Sequence, residues 1–172
     1  MSSLTRTLLH KNCSECKLHE GCKSYRVPPE MHPRKAVPPV DLLLVGEAPG
    51  EQEDVENRPF VGKSGQFLRG WLNAWGGSWT LTNAIKCRPV DNKIDKFLDC
   101  LETCRSTWLV PEVEAVQPKV IVLLGKTAAQ IEWARLSGRR TLIVAPLAVC
   151  HQTIEEAAKL DVEARYVRSS DQ

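Results

Sequence analysis

Three short stretches of this chain hold residue types that could do chemistry together. Gly46-Glu47-Ala48-Pro49-Gly50, with Glu53 and Asp54 just after it, follows the apolar run at 42–45. Pro59-Phe60-Val61-Gly62 and Ser64-Gly65 come next, and Asn83 ends a second apolar stretch. A strand that stops at a glycine exposes backbone amides at its end. An aromatic ring offers a flat stacking face, and a carboxamide both accepts and donates hydrogen bonds. Together they suit the grip of a flat, polar heterocycle.

The cysteines make a second constellation. Seven is a high number for a chain of 172 residues that carries no secretory signal at its start. The expected setting is the cytoplasm, where disulfides are disfavoured and metal or cluster binding is favoured. Cys13 and Cys16 form a CxxC pair, and Cys87 and Cys104 stand far downstream with sixteen residues between them. One compact knuckle plus two spread ligands departs from the two knuckles of a zinc ribbon. It fits a [4Fe–4S] cluster joining distant segments, four thiolates being the usual ligand set. Cys22 and Cys100 are rival ligands, Cys100 lying one helical turn from Cys104. Buried, unliganded cysteines remain the alternative, and Cys150 reads as a packing residue.

Other signals exclude more than they assign. Net charge is +2. Arg58, Lys63, Arg69, Lys86, Arg88, Lys93 and Lys96 cluster near the candidate stretches, as a phosphate-contacting rim or as a solvated face. Gly62-Lys63-Ser64 and Gly125-Lys126-Thr127 look like phosphate loops. The glycine such a loop needs five positions earlier is replaced by Asn57 and Val120. No apolar run is long enough for a membrane helix.

The elements that must position these residues follow from pattern. Residues 1–39 form a cysteine-bearing segment and a connector with five prolines at 27–39. Strands are expected over 41–45, 79–82, 119–124 and 141–145, with a further one at 164–167. Helices are expected over 64–75, with Ser64 as cap and Gly76-Gly77 as stop, and over 95–108, 127–136 and 153–160. Pro111 either kinks the helix expected over 95–108 or starts a second one. Alternating strands and helices predict one α/β domain over 1–172, three layers with a central, mostly parallel four-stranded sheet. Its ligand site should lie beyond the carboxyl ends of the strands, at Gly46, Glu47, Asn83, Gly125 and His151.

Taken together, the motifs resemble family 4 uracil-DNA glycosylases, the iron–sulfur type. The matching pieces are the CxxC at 13–16, the stretches at 46–54 and 59–65, Thr82-Asn-Ala-Ile-Lys-Cys-Arg-Pro89, Cys104, and Pro118-Lys-Val-Ile-Val-Leu-Leu-Gly125. The resemblance implies a monomeric repair enzyme that flips uracil out of DNA, hydrolyses its N-glycosidic bond and leaves an abasic site. It implies stacking on Phe60, base reading by Asn83, backbone contacts from Gly46, Ala48 and Gly50, and water positioned by Glu47, with Asp54 a further substrate contact. Cys13, Cys16, Cys87 and Cys104 would hold a structural [4Fe–4S] cluster. The family's His-Pro-Ser type motif corresponds to the region around His151, where Gln152 replaces the proline. An alternative reading is therefore a weak or inactive iron–sulfur module that binds uracil or DNA. Residues 125–168 also resemble part of a superfamily 2 helicase core, so the stretch from 130 onward is expected to be atypical.

Overall fold

The computed structural model describes residues 12–93 and 99–125 and the backbone of 140–144. The expected helices at 127–136 and 153–160, the strand at 164–167, and His151 lie outside the described residues. The first of the described elements is a 3-10 turn at Lys17–Gly21. Among the described residues five strands form one sheet: β1 (Glu30–His32), β2 (Leu42–Gly46), β3 (Trp79–Asn83), β4 (Val120–Leu124) and β5 (Arg140–Val144). Their order is β1-β3-β2-β4-β5. β3, β2, β4 and β5 run parallel, as expected, and β1 adds an antiparallel edge. The sheet is therefore mixed and one strand wider than the four expected. The added strand falls in the proline-rich connector. Proline tolerates an edge, where one row of N–H groups faces no partner.

β2 and β4 are apolar at nearly every position because both their faces are covered. One core cluster sets Leu43, Val45, Ile121 and Leu123 against Leu109, Val113 and Val116. On the opposite face, Leu44, Leu81, Trp79 and Val122 meet Leu72. Residues next to one another in a strand thus serve opposite layers.

Two helices join β2 to β3. The first, α1 (Glu51–Glu56), ends on Asn57 in the left-handed conformation at φ 51°. The second, α2 (Lys63–Trp75), starts at Gly62 as its N-cap, two residues ahead of the expected Ser64. Gly76 ends it at φ 79°. After β3, α3 (Asp99–Cys104) passes through a π-helical stretch at Arg105–Leu109 into α4 (Val110–Val116). Pro111 has no N–H for the carbonyl four residues earlier, and the wide turn absorbs that gap without ending the helix. β2 connects toward one edge of the sheet and β4 toward the other. The crevice this opens lies at the carboxyl ends of β2 and its neighbours.

Candidate active site

The crevice is built around Gly46. It pairs with Asn83 in the register of β2 and β3. The ladder continues past the strand ends, with Ala84 N–H donating to the Gly46 carbonyl at 2.8 Å and Ile85 N–H to that of Glu47 at 2.9 Å. Asn83 is buried, and its carboxamide oxygen lies over the Gly46 α-carbon beside the Phe60 ring. A β-carbon at position 46 would fall 2.7 Å from Phe60 Cζ and closer still to Asn83 Oδ1. Glycine here is a requirement of that close approach. Glu47 is exposed at the lip, and Ala48 packs toward the cysteine-lined cluster.

Phe60 is half-buried and sits in the left-handed region at φ 55°, a strained conformation for a bulky residue. Two contacts with its backbone hold it there. Arg69 of α2 reaches back and donates from Nε to the Phe60 carbonyl at 2.9 Å. The Arg69 guanidinium is itself held by Glu30 of β1 at 2.8 and 2.9 Å. Gly65 passes so close that any side chain there would strike the Phe60 backbone. Burial favours the neutral form of Glu30, but Arg69 and Arg58 outweigh it and hold the carboxyl below its ordinary value.

Glu53 joins the two turns. Its carboxylate accepts from Gly50 N–H at 3.1 Å and from Val61 and Gly62 N–H at 2.9 Å each. One side chain thus ties the loop after β2 to the loop that carries Phe60. No role follows for Glu53 from residue type alone, although its spacing from Gly50 is that of a helix-capping acid.

Asp54, expected as a substrate contact, sits away from the lip of the crevice. It is buried, and its carboxylate accepts from the backbone N–H groups of Lys23 and Ser24 at 3.0 and 2.8 Å. Its carbonyl accepts from the Ser24 hydroxyl at 2.6 Å. These bonds assign it to anchoring the cysteine segment. Of the basic residues expected near the site, Lys63 and Lys93 are exposed. Lys86 is wholly buried, and Arg58 and Arg69 are paired with Glu30. Lys96 lies outside the described residues.

The six described cysteines are free thiols. Cys87, Cys100 and Cys104 are buried around Leu18 and Ile85, with Cys16 and Cys22 packed against them. Cys13 lies beyond, its sulfur accepting from Trp108 Nε1 at 3.2 Å. The Cys22 and Cys87 thiols interact directly, as do those of Cys16 and Cys100. Hydrogen bonding to Cys22, with burial, holds the Cys87 thiol far above its ordinary value. Burial pushes Cys100 up to about 12 and Cys104 up to about 11. Among the described residues no three such ligands are spaced to hold a single metal ion. The donors are nonetheless all sulfur and come from the N-terminal segment, the loop after β3 and α3. That set fits a multi-iron cluster in kind.

The uracil DNA glycosylase superfamily model matches residues 33–161. The chain belongs to the uracil DNA glycosylase superfamily. The match takes in both turns, Phe60 and Asn83. It runs on through most of the stretch that resembles a helicase core, and that second resemblance gains no support. Cys13, Cys16 and Cys22 precede the matched region. The chain is 38% identical over 122 residues to a type-4 uracil-DNA glycosylase of Archaeoglobus fulgidus, covering 69% of this chain and 57% of the relative. It is 37% identical over 135 residues to one from Pyrobaculum aerophilum, covering 77% and 64%. A Thermotoga maritima protein of that name is 37% identical over 90 residues, covering 51% and 46%. The chain thus spans little more than half the length of the curated relatives it matches. Among the described residues no helix is long and apolar enough to cross a membrane.

Proposed function

We propose that this chain, as a single domain, hydrolyses the N-glycosidic bond of uracil in DNA. The observation that carries the reading is the meeting of the Asn83 carboxamide and the Phe60 ring over Gly46, at the carboxyl ends of β2 and β3. A flipped uracil would stack on Phe60, with backbone groups of residues 46–50 along its rim. Asn83 would accept from N3–H and donate to O4. Cytosine presents the opposite pattern, and a buried carboxamide left mispaired disfavours it by about 1 to 3 kcal/mol per lost partner. Water, positioned by Glu47 and attacking the sugar carbon, would replace the base, which departs as an anion. Directed donors stabilise such an anion. His151 is retained in this reading as one of them, toward O2.

Cys13, Cys16, Cys87 and Cys104 would hold a [4Fe–4S] cluster, with Cys22 and Cys100 as neighbouring thiols. When bound, it would cross-link the N-terminal segment to α3. Of these cysteines, the buried thiols of Cys87 and Cys104 resist ionisation and call for a cationic centre before they become ligands. Iron without zinc in anaerobically purified protein, with visible absorbance that dithionite bleaches, is the expected result. Stoichiometric zinc without iron would refute the cluster.

The enzymatic reading is tested by incubating the chain with single- and double-stranded uracil-containing oligonucleotides, then treating with alkali. Strand scission at the uracil, slowed to a small residual rate in Asn83→Ala, is expected. Tight binding with no scission on either substrate would favour a recognition module instead.

A further inference from the structure

Directly beneath Asn83 lies a polar network that the proposed chemistry does not use. Lys86, Glu112 and Arg26 have fully buried side chains. Lys86 Nζ donates to Glu112 Oε2 at 2.6 Å, to Thr82 Oγ1 at 2.7 Å and to the main-chain carbonyl of Asn83 at 2.6 Å. An ammonium has three donors, and all three are used. Thr82 Oγ1 in turn donates to Glu112 Oε2 at 2.8 Å, and Arg26 donates to Glu112 Oε1 at 2.9 Å.

Stability is a poor reason for such an arrangement. Burying a charged pair removes both ions from water, and apolar residues of similar volume often replace one at no loss. What charged hydrogen bonds supply better than apolar packing is direction. Here the direction is toward the peptide that carries the base-reading side chain. Lys86 is fixed from its own backbone as well. Its carbonyl accepts from Val27 N–H at 2.8 Å, and its N–H donates to the Cys104 sulfur. The donor at the side chain's tip is therefore braced on two other segments.

We propose that Lys86 is a positioning residue for Asn83: by holding the Asn83 carbonyl, it fixes the angle at which the carboxamide meets the base. The inference rests on the uracil-reading assignment of Asn83. It gives the residue an aiming role that touches neither substrate nor water.

The test is a double-mutant cycle in the full chain, purified anaerobically. Lys86→Met removes the donor but leaves Arg26 and Glu112 as a balanced pair. Single-turnover cleavage of a uracil oligonucleotide by Lys86→Met should slow by about 10- to 100-fold, the range expected from a small misplacement of a reacting group. Affinity for the abasic product duplex should change by less than about threefold, since that duplex lacks the base Asn83 reads. In an Asn83→Ala background, Lys86→Met should slow the residual rate no further. Lys86→Gln, which keeps a neutral donor, should recover part of the loss and serves in the same cycle if the methionine variant does not fold. Independent, additive losses in the cycle, or a wild-type rate in Lys86→Met, would overturn the positioning role alone. Absence of cleavage by the unaltered chain would overturn the glycosylase reading, and this inference with it.

Discussion

Asn83 and Gly46 are partners in the register of two parallel strands, and the Asn83 side-chain oxygen occupies the space a β-carbon on Gly46 would need. The missing side chain of one residue is thus the seat of the other. Gly46→Ala should push aside both Asn83 and the Phe60 ring. Single-turnover cleavage should fall at least about 100-fold, because recognition geometry tolerates little displacement. A rate within about threefold of wild type would show that the pocket is not organised around this contact.

Glu53 accepts three backbone N–H groups from two loops. Glu53→Ala leaves all three without their acceptor and should destabilise the chain by about 2 to 4 kcal/mol. Glu53→Gln keeps one acceptor oxygen and should lose about half as much. Urea unfolding of the two variants reads both values. Equal stability of Glu53→Ala and the parent would remove Glu53 from any account of how the loops are joined.

Glu30 supplies a pH dependence. Its folded-state carboxyl titrates below the ordinary value of 4.5 because Arg69 and Arg58 outweigh the effect of burial. A depressed carboxylate contributes stability that is fully present above the unfolded value and is lost as pH falls through the folded one. Melting temperatures of the parent and Glu30→Gln should therefore differ by a constant amount at neutral pH. The gap should narrow below about pH 4.5 and then close. A gap that widened on acidification would reverse the sign assigned to the two arginines.

Asp54 anchors the segment that carries Cys22 through the backbone of Lys23 and Ser24. Asp54→Ala should raise the alkylation rate of Cys22 by at least about tenfold, as segments released from their anchors open more often. Mass spectrometry of labelled peptides follows this residue by residue. Unchanged labelling would mean that packing alone retains the segment.

Much of this was legible in the residues and some was not, for physical reasons. The runs at 42–45 and 120–124 are apolar throughout because both faces of those strands are covered, so they read clearly as central strands. β1 is three residues set among prolines, and only its pairing with β3 makes it a strand. α1 is built almost entirely of polar and acidic residues and carries no apolar stripe, so periodicity cannot reveal it. Gly46, Phe60 and Asn83 stand out in the sequence because glycine, aromatic and carboxamide mark themselves at strand ends and turns, and the structure brings the three together. The burial of Lys86 and Asp54 is not legible in the sequence, because charged residues usually face water. Each is buried against partners distant in sequence: Glu112 for Lys86, the backbone of Lys23 and Ser24 for Asp54.

The neighbouring acids of α1 have a joint consequence. Glu53 holds the loop that presents Phe60, and Asp54 holds the segment that carries the first cysteines. Six residues of helix are therefore shared between the stacking ring and the cysteine-rich arm. Melting of this short helix would release both holds at once, so the stacking ring and the cysteine-rich arm are expected to loosen together.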